Sequence, residues 1–365
     1  MVAKQVLVVV IVLIAAVAAG AGFAAGYVYK TSPANTPSGP GSVSNSTLGI
    51  WGAGTLDTLF PQLASALENE TTGISGTIQT YEGSLDITSA ITTGGVKADV
   101  AAVADFRLIP SLLEPTYAGY QVVFGATPEV LVYNPSLPAF DGINSTNWAQ
   151  KLVNDVTTPG NKPMAVWNAS TDPNGYNGIF SLQLQGLLYN GSSGSYFDQL
   201  YSGGSSSPAV PNPTRTIIEH ESEAASLIST GVVSAFITYR SYAIVNHLTY
   251  VGFNPIVGLQ ANNSTALADY AELSTLLFGS SPGVFSKVVP APVLFAVTVP
   301  SNAPNPTLGA EFLHLLLSPQ GSAILAAGGA FTPIFPGWSD HPGAVPSILA
   351  PDVVPMPAWT SSFVT

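Results

Sequence analysis

The sequence predicts an α/β fold in which sheets of parallel strands are covered by helices on both faces. Three observations predict it. Short apolar strands alternate with helix-period segments through most of the chain. Four of these strands run into a short polar loop and then directly into a helix. The 365 residues are 46% apolar, enough core for about two domains of roughly 100–200 residues each.

The elements follow in order. After Lys4 an uncharged, mostly apolar run extends from Gln5 to Tyr29, closed by Lys30. A secretory signal core takes roughly 7–15 residues, whereas about 20 span a bilayer. Residues 1–30 are therefore read as a signal anchor holding the protein to the membrane. Cleavage within Ala15–Gly26, for instance after Ala16-Val17-Ala18, is the other reading, and both place the remainder outside the cell. Residues 31–45, rich in Ser, Pro and Gly, form a flexible linker. The triplets at Asn45, Asn69, Asn144, Asn168, Asn190, Asn262 and Asn263 fit an exported glycoprotein.

The first junction is the strand from Leu48, the corner Gly54-Thr55, and Leu56, Leu59, Phe60, Leu63 and Leu67 at helical spacing. In the second, a strand Ile74–Tyr81 meets Glu82-Gly83-Ser84 and a helix Leu85–Thr93, stopped by Gly94-Gly95. Ala98 to Asp105 is a further buried strand that ends in an acid. The third junction joins a strand Met164–Asn168, a loop Ser170–Tyr176 and a helix Ile179–Tyr189. The fourth joins a strand Val233–Thr238, Tyr239-Arg240-Ser241 and an apolar helix. In open α/β sheets ligands sit outside the carboxyl ends of strands, where helix N-termini present free N–H groups to anions. Gly54-Thr55 and Gly83-Ser84 each place a hydroxyl beside a glycine. Facing each other, they would hold a tetrahedral oxyanion through neutral donors. Helix capping is the plainer role for both hydroxyls, and it does not exclude ligation.

Composition excludes several functions. Only 8% of residues are charged, against about 25% in an ordinary soluble protein. A net charge of −12 with nine Lys plus Arg leaves no basic face for nucleic acid. The absence of cysteine removes disulfides, thiolate metal sites and a lipid-modified cysteine anchor. His220, His247, His314 and His341 have no zinc-like spacing and none lies in an anion corner. With no nucleophile–His–acid set, the sequence gives no enzyme, no cofactor and no resident metal. Scarce Lys and Arg suit an acidic exterior, where carboxylates protonate and cations would repel. A surface-layer-like composition bias explains the same numbers without reference to pH.

The order of short motifs is similar to that of the archaeal tungstate/molybdate-binding proteins that serve ABC transporters. Ala53-Gly-Thr-Leu resembles the family's Ala-Gly-Ser-Leu, and Ala98 to Pro110 its "ADV…ADY…LIP" run. Phe124–Tyr133 looks like its crossover strand, Ile143–Trp148 like its "INTDNW", and Asp172–Tyr176 like its Asp-Pro-x-Gly-Tyr. Phe236–Ser241 resembles its "FEYKS" segment, and Phe295–Asn305 followed by Glu311-Phe312 its returning strand and helix.

The resemblance implies a two-lobed, type II periplasmic-binding-protein-like α/β fold with two crossover connections. Lobe one would comprise residues 46–127 plus 292–365, and lobe two residues 128–291. It implies permease and ATPase subunits as partners, and an anion site built from Gly54, Thr55, Ser84, Asp172, Pro173 and Asn174. Thr238 falls where the family has a metal-ligating Glu, and Phe295 where it often has a Tyr. With Asp172 as the one acid left, two carboxylates cannot complete a six-coordinate metal centre. The expectation is a tetrahedral tungstate or molybdate held by hydrogen bonds, with Thr238 donating; sulfate or another tetrahedral oxyanion is the alternative. Asp172 is protonated, turned away, or capping the next helix. Arg240 either pairs with an acid or touches the ligand.

Overall fold

Alternation within Ser46–Ala53 makes the first strand: Leu48 and Ile50 enter one face of the core while Trp51 packs against the other. The computed structural model describes residues 46–71, 74–212, 216–218, 221–279 and 283–364. The run Gln5–Tyr29, the linker, Asn45 and His220 lie outside the described residues. Among the described residues no helix is long and apolar enough to cross a membrane.

The strands of the first half are β1 (Ser46–Ala53), β2 (Ile74–Glu82), β3 (Val100–Val103), β4 (Val122–Ala126), β5 (Glu129–Tyr133), β6 (Ala165–Trp167), β7 (Tyr201–Ser202) and β8 (Val210–Pro211). Those of the second are β9 (Thr216–Ile218), β10 (Ala235–Tyr239), β11 (Tyr250–Gly252), β12 (Thr275–Phe278), β13 (Phe285–Val288), β14 (Leu294–Thr298), β15 (Thr332–Ser339) and β16 (Val353–Pro355). The helices that shape the site are α1 (Phe60–Glu70), α2 (Ser84–Thr92), α3 (Trp148–Thr157) and α4 (Pro173–Asn190).

A seven-stranded sheet has the order β16-β15-β4-β14-β3-β1-β2. Its β1, β2 and β3 are parallel and end together, with Ala53 opposite Glu82 and Gly52 opposite Ala102. The loops that follow them therefore stand side by side. Phe60, Leu63 and Leu67 of α1 bury against one face, where Phe60 meets Phe312 edge-on at 5.2 Å. Ile87 and Ile91 of α2 bury against the other. The helix expected from Leu56 starts only at Phe60, after a 3-10 turn over Gly54–Leu56. Pro61 explains the start, because a residue without an N–H fits a first helical turn.

The chain leaves this sheet through β4 and Thr127-Pro128, and returns to it as β14. Ala126 lies opposite Leu294, so the two connections cross side by side. A strand returning at the end where β4 left must run the opposite way. β14 is accordingly antiparallel to both β3 and β4, and the sheet is mixed where parallel strands were expected.

The second sheet has the order β10-β5-β11 and is antiparallel. A bridge between Met164 and Ala235 joins it to the parallel pair β6–β9. Helix α4 begins at Pro173, six residues before the expected Ile179. Its glycines read as loop in sequence, but they serve packing instead. A methyl at Gly175 would lie 2.5 Å from the Ala169 backbone, so no other residue lets α4 approach the strand before it.

Asp99 fastens the end of the seven-stranded sheet away from these loops. It is 1% exposed, its Oδ2 accepts from Gly49 N at 2.8 Å, and its Oδ1 accepts from the N–H of Asn305, just before the helix Pro306–Leu316. Asp99→Ala leaves two backbone donors unsatisfied. The expected loss of unfolding free energy, measured by urea denaturation, is about 3 kcal/mol.

Candidate functional site

Thr55 and Ser84 sit at the carboxyl ends of neighbouring parallel strands. Thr55 lies within the 3-10 turn begun by Gly54 and is 3% exposed, and its Oγ1 is buried without a hydrogen-bond partner. Ser84 is the first residue of α2 and fully buried. Its Oγ accepts from Ala104 N at 2.9 Å, which leaves the hydroxyl hydrogen for a further partner. Neither hydroxyl caps a helix: the 3-10 turn and α2 have no side-chain cap.

Asp172, Pro173, Asn174 and Thr238 come together as a second group. Asp172 caps α4 through Oδ1, accepting from Asn174 N at 2.8 Å, and Pro173 fills the first turn. Asn174 Nδ2 donates to Thr238 Oγ1 at 3.0 Å. Thr238, expected as a donor, thus accepts one bond and keeps its own hydrogen to give. The Asn174 Oδ1 is buried without a partner.

The two groups meet. Leu85 N, in the first turn of α2, donates to Thr171 O at 3.0 Å. A methyl at Gly83 would lie 2.4 Å from the same oxygen. The contact is locked from one side by Asp105, just after β3. The Arg107 guanidinium grips its carboxylate, with Nε 2.9 Å from Oδ1 and a terminal nitrogen 2.6 Å from Oδ2, and also donates to Val289 O at 2.7 Å. Tyr176 Oη of α4 donates to Asp105 Oδ2 at 2.6 Å.

Burial treats the acids here in opposite ways. Burial alone would push the Asp105 carboxyl up, but the Arg107 charge and the hydrogen bonds of Arg107 and Tyr176 hold it below the usual range. Among the described residues Asp172 has no such cation. Burial raises it to about 7, opposed by the Asn174 N–H and reinforced by Asp86. Asp172 is not the one acid present, as the sequence reading expected: Glu129, on β5 directly across from Tyr239, is fully buried with both carboxyl oxygens unpartnered. Burial, then the charge of Asp172, push Glu129 well above the carboxylate range. That direction favours the neutral carboxylic acid, the form of Glu129 that can donate a hydrogen bond.

Phe295 is fully buried on β14 and touches Phe124, Tyr239 and Phe331 at ring distances of 6.3, 5.4 and 4.9 Å. It offers the site a ring and no polar atom. The nearby hydroxyl belongs to Tyr239, whose Oη accepts from Asn177 Nδ2 at 3.3 Å. Arg240 starts the helix Arg240–Val245 and donates its backbone N–H to Pro128 O at 2.8 Å. Among the described residues no acid pairs with its side chain, and its buried Nε has no partner. A cavity of about 240 Å³ lies behind Asn168–Ser170, lined by Trp167, Tyr201, Val210 and Phe278. Its apolar walls do not suit a dianion.

The sequence matches the family model for bacterial extracellular solute-binding proteins over residues 48–330. It is 27% identical over 293 residues to the molybdate/tungstate-binding protein WtpA of Pyrococcus abyssi, covering 75% of this chain and 81% of that one. The fold is similar to the periplasmic molybdate-binding protein of Azotobacter vinelandii, with TM-score 0.52, 14% identity and 78% and 98% coverage. It is similar also to the sulfate-binding protein SubI of Mycobacterium tuberculosis H37Rv, with TM-score 0.53, 13% identity and 87% and 92% coverage. These likenesses identify a periplasmic-binding-protein-like, two-lobed α/β fold.

Raised folded-state pKa values at Glu129 and Asp172 mean that the folded protein keeps protons the unfolded chain releases above about pH 4. Their contribution to stability is full below that pH and is lost as pH rises through about 7 for Asp172. The lowered Asp105 contributes in the opposite sense, and its part is lost as pH falls below about 4. The urea midpoint is therefore expected to peak near pH 4–5 and to fall towards pH 8. Glu129→Gln should flatten the fall, because an amide does not ionise. A wild-type midpoint that rises steadily to pH 8 would refute this account of the buried acids.

Proposed function

Because the chain belongs to the family of bacterial extracellular solute-binding proteins, we propose that it captures tungstate or molybdate for an ABC importer and closes two lobes over the anion. Lobe one is residues 46–127 plus 292–365 and lobe two residues 128–291. The run Gln5–Tyr29 tethers it to the outer face of the membrane, beside the permease and ATPase it supplies. Glycans on the exposed Asn69, Asn144, Asn190, Asn262 and Asn263 fit that location.

One observation carries the assignment of the site. The Thr55 Oγ1 is buried without a partner at the carboxyl end of β1, beside Ser84 at the start of a helix. A buried, unpaired hydroxyl costs about 1–3 kcal/mol, and an oxyanion there would satisfy it. The proposed set is Gly54, Thr55 and Ser84 from lobe one, with Asp172, Pro173, Asn174 and Thr238 closing from lobe two and Phe295 walling the base. Glu129 joins it as a protonated donor. The site then meets a dianion with neutral groups rather than with Lys, which suits a chain holding nine basic residues. Its shape is kept by the Asp105–Arg107–Tyr176 bonds, which favour the closed arrangement when ligand is bound.

Sulfate is the second reading. Thr238 favours it, because a neutral hydroxyl supplies a hydrogen bond to any tetrahedral oxyanion but no ligand to a six-coordinate metal.

Thr55→Val tests the site without emptying the core. Hydrogen bonds to a charged partner are worth about 1.5–3 kcal/mol, so calorimetric affinity for tungstate and molybdate should fall roughly ten- to a hundredfold. Because the hydroxyl has no partner in the protein, the melting temperature of the ligand-free variant should hold or rise. Unchanged affinity in Thr55→Val overturns the site. Sulfate binding more tightly than either metal oxyanion selects the second reading.

A further inference from the structure

At the end of the seven-stranded sheet opposite the crossovers, three side chains converge that take no part in the site above. Glu114 follows the short helical turn Ile109–Leu113, and Asp340 and His341 follow β15. Ser339 pairs with Val122 while Thr332 pairs with Ala126 beside the crossovers, so the full length of β4 separates this cluster from the cleft. His341 Nδ1 lies 3.4 Å from Glu114 Oε2 and 3.3 Å from Asp340 Oδ1. One donor atom from each of the three residues falls within 4.8 Å of the other two.

A second observation sets this cluster apart from an ordinary acidic surface. The Glu114 side chain is only 10% exposed, and its Oε1 is buried with no hydrogen-bond partner. Asp340 Oδ2 is in the same condition. Among the described residues no Lys or Arg pairs with either acid, and the imidazole of His341 is their near neighbour. Two carboxylates turned inward without a positive charge between them are costly. Asp340 is also held in place, because its Oδ1 accepts from Gln121 N at 2.9 Å and from His341 N at 2.8 Å. Metal-ligating carboxylates are oriented by outer hydrogen bonds of this kind.

We propose that Glu114, Asp340 and His341 bind one divalent transition-metal ion of the zinc class, with water on the exposed side. The two separations from His341 Nδ1, 3.4 and 3.3 Å, agree with that chemistry, because bonds of about 2.0–2.1 Å in a tetrahedral site place neighbouring donors about 3.3 Å apart; the carboxylate oxygens, within 4.8 Å of each other, would draw together on an ion. One imidazole and two carboxylates suit zinc or manganese, whereas calcium and magnesium take all-oxygen sets. The two acids match the charge of the ion, so no further counter-charge is required. His341, with its side chain 59% exposed, gives access from solvent. The ion would tie the segment after β15 to the turn at Glu114 and clamp lobe one where it is furthest from the anion.

The test uses the full chain, stripped with a chelator and dialysed. Zinc chloride in calorimetry should give one equivalent of binding and raise the melting temperature by several degrees. Manganese should give a smaller shift, and calcium and magnesium none. His341→Ala, at an exposed position that leaves the fold intact, and Glu114→Gln should each abolish both the heat and the shift. Thr55→Val should leave both unchanged, which separates this site from the anion site. The proposal is overturned by the absence of one-equivalent zinc binding, by a zinc response intact in both variants, or by a calcium response equal to that of zinc.

Discussion

Asp105 holds three parts of the chain at once: its own loop after β3 through Arg107, helix α4 through Tyr176, and the approach to β14 through the Arg107 bond to Val289. Removing such a carboxylate from water costs several kcal/mol, and a guanidinium about 4 Å away returns about 4 kcal/mol at an effective dielectric near 20. The balance becomes favourable because every oxygen of Asp105 is also hydrogen-bonded. A protein with nine Lys and Arg residues has buried Arg107, only 8% exposed, inside its fold. The second sheet and the returning strand are thereby referred to a single carboxylate. The geometry of the anion corners follows from that reference, because Tyr176 lies one turn into the helix that Asp172 caps.

The neighbouring acids have the same burial and the opposite fate. Among the described residues no guanidinium contacts Glu129 or Asp172, and both are pushed towards the neutral form, whereas Asp105 is held towards the ionised form. A carboxyl group near a dianion repels it when ionised and donates to it when protonated. In the proposed site, the ionisation state of two side chains, rather than an added lysine, would decide whether the cleft accepts charge. A charge-poor composition is thus compatible with the proposed anion binding, which would then depend on the acidity of the surroundings.

Much of this was legible in the sequence because it is local. The glycine–hydroxyl corners, the strand before each of them and the Asp172 cap depend on residues a few positions apart, and they appear where their order indicates. The start of α4 is hidden because Gly175 looks like a loop residue in sequence, while its purpose, close approach to Ala169 and Trp167, exists only in three dimensions. Glu129 was missed for a similar reason. In Glu-Val-Leu-Val-Tyr it resembles the solvent-facing start of a strand, and its burial depends on Tyr239 from a distant strand. The reversed β14 follows from the crossovers, which no local pattern encodes. Glu114 and Asp340 are brought together only by the pairing of β4 with β15.

If the chain acts as the proposed receptor, Gly83 carries a consequence for how its occupancy would be reported. Its α-hydrogen faces the carbonyl of Thr171, and a single carbon there would fall 2.4 Å from that oxygen. The closed conformation is therefore available by the width of one hydrogen atom. Any other residue would act as a doorstop: the cleft could still be visited by anions, but it could not shut over them. On the proposed role, a permease that reads closure rather than ligand would then receive a loaded receptor as if it were empty, so transport would fail while the binding groups remained chemically whole.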